Sequence, residues 1–280
     1  MWIRSKGCMK LVFVDIDGTL TPPGENVPPE SAVRAIKKAQ GNGHKVFLCT
    51  GRNMDMLKPL LTYGFDGVIA SAGGHVVCGD EVLFDCPMTA EQLDMALTSL
   101  HRHGVFCTVE AADGSWGDEN LDAFLKDQPE GNSEIERWRK ALASNLGIRP
   151  MSEYDGRPVY KVVVMANRMS DLDEAKQRLE DQFNFAIQDV PAHGCVNGEL
   201  INRKFNKGQG VRQIAQHLNI PVSDTIGFGD SMNDLEMIQT VGLSVCMGNG
   251  SETLKKISDM VCEPVLEDGL EKAFRKLGLI

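Results

Sequence analysis

Leu11-Val12-Phe13-Val14-Asp15-Ile16-Asp17-Gly18-Thr19-Leu20 is the stretch that decides how this chain folds. Four apolar residues without polar alternation predict a strand buried on both faces, as in a parallel sheet covered by helices. Two acids end the run, and Gly18 lets the chain turn. In open parallel sheets ligands bind beyond the carboxyl ends of the strands, where Asp15 and Asp17 must fall. A solvated turn uses the same residue types, so the surroundings must decide.

Working outward, Ala32, Val33, Ala35, Ile36 and Ala39 form a helical stripe between Pro29 and Gly41-Asn42-Gly43. Lys45 to Cys49 predicts a second buried strand, a helix carrying Met54, Met56, Leu57, Leu60 and Leu61 follows Gly51, and Val68-Ile69-Ala70 predicts a third strand. This alternation predicts a parallel sheet with right-handed crossovers. It returns late, with helices over Gly210–Leu218 and Asp234–Val241 and strands over Thr225–Phe228 and Leu243–Met247. The middle differs: Thr89 with Gln92, Ser133 with Glu136 and Ser170 with Asp173 resemble helix-capping pairs. Strand-like runs at Val105–Val109, Val159–Met165 and Phe185–Val190 lie between them. The expected organisation is therefore an α/β Rossmann-like core, residues 1–82 and 199–280, split by an inserted α+β domain, residues 83–198.

Of 280 residues, 42% are apolar and 24% charged, which is ordinary for a globular chain, and acids exceed bases by 10. With no basic run to offset that excess, neither nucleic acid nor an anionic membrane is an expected partner. No apolar stretch approaches the roughly 20 residues of a bilayer span. The first residues lack a signal-peptide pattern, and the eight cysteines show neither CxxC pairs nor zinc-ligand spacing. A cytoplasmic protein with reduced cysteines is expected.

A second acidic loop, Gly227-Phe228-Gly229-Asp230-Ser231-Met232-Asn233-Asp234, ends another expected strand. If both loops share one sheet edge, the carboxylates repel by about 4 kcal/mol per pair at 4 Å and an effective dielectric of 20, so the cluster protonates or binds a cation. Oxygen donors without His or Cys select Mg²⁺. Thr50-Gly51-Arg52 opens a helix, where a hydroxyl and backbone N–H groups can hold phosphate oxygens. Lys207-Gly208 adds a point positive charge.

These segments, in this order, resemble the four motifs of the haloacid dehalogenase (HAD) superfamily. The insertion resembles the cap of its Cof-type, class IIB branch, as do Val245-Cys246-Met247-Gly248-Asn249 (the branch's VAMGNA) and Asp268-Gly269-Leu270 (its DGV). The resemblance implies a Mg²⁺-dependent phosphatase of a small phosphorylated metabolite such as a sugar phosphate, a monomer or homodimer, with the cap excluding water. It implies Asp15 as nucleophile and Asp17 as acid/base. Mg²⁺ would be held by Asp15, the Asp17 carbonyl and Asp230, with Asp234 behind them. Thr50, Gly51, Lys207 and Asn233 would hold the phosphoryl group. Arg52 could reach substrate or cap, or equally be a solvated helix residue. The chain departs from the pattern at Ala72-Gly73-Gly74, where the branch has Asn-Gly-Ala, and at Gly210 and Gly250, where it favours Ala. Those departures bear on substrate preference and rigidity. Two other readings compete: a phosphomutase or phosphotransferase, and a phospho-aspartate receiver module, against which the insertion and the DxD spacing argue. The histidines show only the weak pair His101 and His103 at ligand-like spacing. Trp116 and Tyr154 are candidates for lining a pocket, with ordinary packing the simpler role.

Overall fold

The computed structural model describes residues 9–126, 148–188 and 195–280. Along the chain, β1 (Leu11–Val14), α1 (Glu30–Gly41), β2 (Lys45–Cys49), α2 (Met54–Leu61) and β3 (Gly67–Ala70) alternate, followed by the hairpin β4 (His75–Cys78) and β5 (Glu81–Asp85). Next come α3 (Ala90–His101), β6 (Phe106–Ala111), β7 (Gly114–Gly117), α4 (Leu121–Lys126), β8 (Ile148–Pro150), β9 (Val159–Ala166), α5 (Asp173–Leu179), β10 (Phe183–Gln188) and β11 (Val196–Asn202). The last segment contains α6 (Lys207–His217), β12 (Thr225–Gly229), α7 (Leu235–Thr240), β13 (Leu243–Cys246), α8 (Glu252–Ile257), β14 (Met260–Val261) and α9 (Gly269–Lys276).

The chain divides into two compact units. The first contains residues 9–52, Leu57–Asp85 and Phe205–Ile280; the second contains Asn53–Met56 and the described part of Cys86–Lys204. In the first, eight strands lie in the order β14-β13-β12-β1-β2-β3-β4-β5, parallel except where β4 pairs with β3 and β5. Every residue of β1 is fully buried, the outcome its unbroken apolar run predicts. Phe13 stacks on Phe47 at 5.1 Å, and both share a core with Ile69 and with Val211 and Ile214 of α6. The strand order reverses at the β1–β12 pair, which puts the doubly wound fold's ligand crevice between the ends of these two strands. Register pairs Val14 with Phe228, so the loops at Asp15 and Asp230 leave the sheet side by side.

The second unit is α+β: six strands in the order β10-β11-β9-β6-β7-β8, antiparallel except for β7 and β8, with the apolar side chains of α3 and α5 packed on one face. Thr89 and Gln92 form the expected capping box. Ser170 and Asp173 do not cap α5, because a 3-10 turn, Met169–Leu172, precedes it and Asp171 accepts from the Arg168 N–H instead. β5 crosses residue 83, since its ladder with β4 extends to His75–Asp85, and β11 likewise runs past residue 198. Trp116 is fully buried, edge-on to Tyr154 and flanked by Arg149 and Arg157, so it packs. Ser133, Glu136, Val190 and Cys8 lie outside the described residues. No helix among the described residues is long and apolar enough to cross a membrane.

Candidate active site

Asp15 follows β1 directly, and its N–H donates to Phe228 O of β12 at 2.9 Å, which fixes the first acidic loop to the second. Gly18 has φ +82°, and a Cβ there would sit 2.3 Å from Asp230 Oδ2; only glycine lets the loops approach so closely. Carboxylate oxygens of Asp15, Asp230 and Asp234 come within 4.8 Å of one another. The two loops therefore share one sheet edge.

Lys207 makes that crowding tolerable. Its Nζ donates to Asp15 Oδ1 and to Asp234 Oδ1, each at 2.6 Å, and lies 3.4 Å from Asn233 Oδ1. Helix α6 starts at Lys207, where the Asn206 side chain accepts from the Gln209 N–H and caps it. Lys207 thus projects from the first turn, where the lysine chain reaches both acids. Asp234 Oδ2 accepts from the N–H groups of Asp230 and Ser231, so Asp234 braces the second loop.

Burial pushes the Asp15 carboxyl well above the ordinary range; Asp234 adds to the push and Lys207 opposes it. Burial and then Asp234 raise Asp230 to about 7. Against the burial that would discharge it, Asp15 and Asp234 hold the Lys207 ammonium well above its ordinary value. Lys207 engages Asp15 and Asp234 but makes no bond to Asp230, whose Oδ1 is buried without a hydrogen-bond partner. One orphaned carboxylate oxygen, two neighbouring carboxylates and no His or Cys donor in the group fit a hard divalent cation.

Both Asp17 oxygens face donors: Arg52 Nη2 at 2.7 Å and Gly24 N–H at 2.8 Å to Oδ1, and Arg52 Nε at 2.9 Å to Oδ2. Arg52 also donates to Asn26 Oδ1 and Glu25 O, so its guanidinium is engaged with the acid and its loop. Thr50 is buried, with Oγ1 accepting from the Arg52 N–H, and Gly51 follows it at the end of β2. Asn233 Oδ1 accepts from the Ser231 hydroxyl. Ala72, where the branch has Asn, adopts φ +58°, and its N–H donates to Thr50 O. The sequence reading gave Asn249 no role, yet its Nδ2 donates to Gly18 O and its Oδ1 accepts from Val265 N–H, holding the first loop. Its place after Gly248 was the available signal. Gly210 and Gly250 do not loosen the fold: a Cβ at Gly210 would meet Ile69 at 2.7 Å, and one at Gly250 would meet Asp230 O at the same distance.

Acids gathered at the switch point of a doubly wound sheet, with one lysine bridging two of them, mark the site of an α/β enzyme. The family model for haloacid dehalogenase-like hydrolases matches residues 12–274, and the chain belongs to that family. It is similar to phosphatase YwpJ of Bacillus subtilis, 27% identical over 96% of this chain and 100% of that protein. It is also similar to 5-amino-6-(5-phospho-D-ribitylamino)uracil phosphatase YwtE of the same organism, 27% identical over 94% and 96% of the two chains. Among solved structures, a protein from Geobacillus kaustophilus HTA426 superposes with a TM-score of 0.79 at 25% identity, covering 98% and 100% of the two chains. The HAD subclass IIB sugar phosphatase BT4131 shares the fold, with a TM-score of 0.76 at 23% identity, covering 97% and 100%.

Proposed function

We propose that this protein is a Mg²⁺-dependent phosphatase that hydrolyses a small phosphorylated metabolite, such as a sugar phosphate, through an aspartyl-phosphate on Asp15. The observation that carries the reading is the Lys207 bridge from Asp15 to Asp234 beside the unpartnered Asp230 oxygen. Similarity to proteins named phosphatases over 96% and 94% of this chain supports it.

Asp15, the Asp17 carbonyl and Asp230 would hold Mg²⁺, with Asp234 braced behind them, and the ion would neutralise charge on the transferring phosphoryl group. Lys207 occupies Asp15 Oδ1, which makes the two oxygens of the nucleophile inequivalent. An Asp15 oxygen attacks phosphorus as the P–O ester bond breaks, and Asp17 gives its proton to the leaving alkoxide. Asp17 then takes a proton from the water that attacks the acyl phosphate, releasing inorganic phosphate and Asp15. Thr50, Gly51, Lys207 and Asn233 bind the phosphoryl oxygens, where charge stabilisation does most of the catalytic work. Arg52 orients Asp17. The seven described cysteines, all free, suit a cytoplasmic setting.

The test is hydrolysis of p-nitrophenyl phosphate with Mg²⁺, with excess chelator, and by Asp15→Asn. Turnover should require the ion and vanish in the variant; full activity in chelator or in Asp15→Asn refutes the mechanism. A panel of phosphorylated sugars and cofactors then separates hydrolysis from phosphoryl transfer between substrates.

A further inference from the structure

Outside the acidic site, the described residues contain one other set of metal-ligating atoms: His101, Cys107 and Asp118 each offer one donor, all within 4.8 Å of one another. They come from three separate places in the second unit: the last residue of α3, the second of β6, and the residue after β7. The ladder explains the meeting. Asp118 N–H donates to Cys107 O at 2.9 Å and Cys107 N–H donates to Asp118 Oδ2 at 2.7 Å, so these two residues continue the β6–β7 pairing as neighbours. Helix α3 packs on the same sheet face as Cys107, through Leu93, Ala96 and Leu100, and delivers His101 Nε2 to 2.8 Å from Asp118 Oδ2.

We propose that His101, Cys107 and Asp118 form a zinc site, with three protein ligands and a fourth position open to water. One imidazole, one thiolate and one carboxylate make the donor set that suits Zn²⁺, and the sulfur disfavours Mg²⁺ or Ca²⁺. The Asp118 carboxylate is already oriented by a backbone N–H, as outer hydrogen bonds orient ligands at metal sites. Water can reach the site from one side: an open depression of about 430 Å³ borders His101 and Asp118, while Cys107 is buried and does not line it. On binding, the Cys107 thiol gives up its proton to bulk and His101 presents an unprotonated Nε2; no redox step is involved. The ion ties the end of α3 to the β6–β7 hairpin. Sequence spacing hid the set, because the partners are brought together by strand pairing and helix packing.

The experiment titrates the full chain with Co²⁺ in saturating Mg²⁺, reading the thiolate-to-metal charge-transfer absorption, and then adds Zn²⁺. One equivalent of Co²⁺ should produce the band and Zn²⁺ should abolish it. His101→Ala, at a side chain 42% exposed, should weaken binding at least about tenfold while the metal-free protein still melts cooperatively. Asp118→Asn should weaken binding similarly, and Cys107→Ser should remove the band. Absence of the band, or a band unaltered in His101→Ala or Cys107→Ser, overturns the proposal and leaves an ion pair beside a core cysteine. Neither result bears on Mg²⁺-dependent turnover, so the two readings fail separately.

Discussion

Asp230→Asn should stabilise the metal-free fold at alkaline pH while destroying activity. Burial and Asp234 raise the Asp230 carboxyl from 3.8 to about 7. Between about pH 4 and 7 the folded state therefore keeps a proton that the unfolded chain has released. Stability falls as pH rises through that window and is lowest above it. A rise of roughly three units at 1.36 kcal/mol each corresponds to about 4 kcal/mol at pH 8. Asparagine carries no charge to desolvate but still buries an amide, so the variant should recover about 2–3 kcal/mol of this. At about 2–4 °C per kcal/mol, the first unit should melt roughly 4–12 °C higher than wild type in chelator at pH 8, with the gap closing near pH 4. Mg²⁺ should close the gap: at 100 times its Kd it adds about 2.7 kcal/mol to wild type, close to the lead of about 2–3 kcal/mol, and far less to a variant that has lost a ligand. Thermal melts across pH, with and without chelator, measure all of this. An Asp230→Asn protein that melts below wild type in chelator at pH 8 would refute the reasoning that this carboxylate is the uncompensated one.

Lys207→Met should act oppositely, destabilising the fold by about 3 kcal/mol at pH 8 because Asp15 and Asp234 lose their shared partner; denaturant titration measures it, and acid should narrow the loss as the Asp15 carboxyl, which burial already raises, protonates. Asp17→Asn should cut kcat by roughly two to four orders of magnitude for poor leaving groups, and less for p-nitrophenolate, which needs no proton. Arg52→Lys should lower kcat more than it raises KM, since one ammonium cannot reproduce the paired bonds to Asp17; steady-state kinetics separates the two constants.

Much of the first unit was legible because its strands are buried on both faces and read as unbroken apolar runs, Leu11–Val14 being the clearest. The order of the acidic loops then sufficed to bring Asp15 and Asp230 together, since a doubly wound sheet places them on adjacent strands. Short or partly polar elements were illegible: β7, Gly-Ser-Trp-Gly, has no strand signature, and β4 and β5 are set by their antiparallel hairpin. Within the site, the acids could be named but their partners could not. Nothing in the local sequence says that Arg52 turns onto Asp17, or that Asn249 ties Gly18 to Val265, because those bonds join residues that only tertiary packing brings near.

Cys246 and Gly250 share one packing contact beside Asp230. In the VAMGNA segment both positions are alanine; here one is larger and the other smaller. A Cβ at Gly250 would lie 2.7 Å from Cys246 Sγ, so the thiol occupies the space an alanine methyl would need. Gly250→Ala alone should therefore cost about 1–3 kcal/mol through overpacking beside Asp230, and Cys246→Ala alone about 1 kcal/mol through the small void it leaves. Combined, they should not add: the methyl enters the vacated space, and a coupling of about 0.5–2 kcal/mol should appear in a double-mutant cycle by denaturant titration. Backbone oxygens of Asp230 and Met247 also crowd that Cβ, at 2.7 and 2.9 Å, so the recovery should be partial. Strict additivity would mean that the loop moves to admit the methyl, and the two positions would then be independent substitutions.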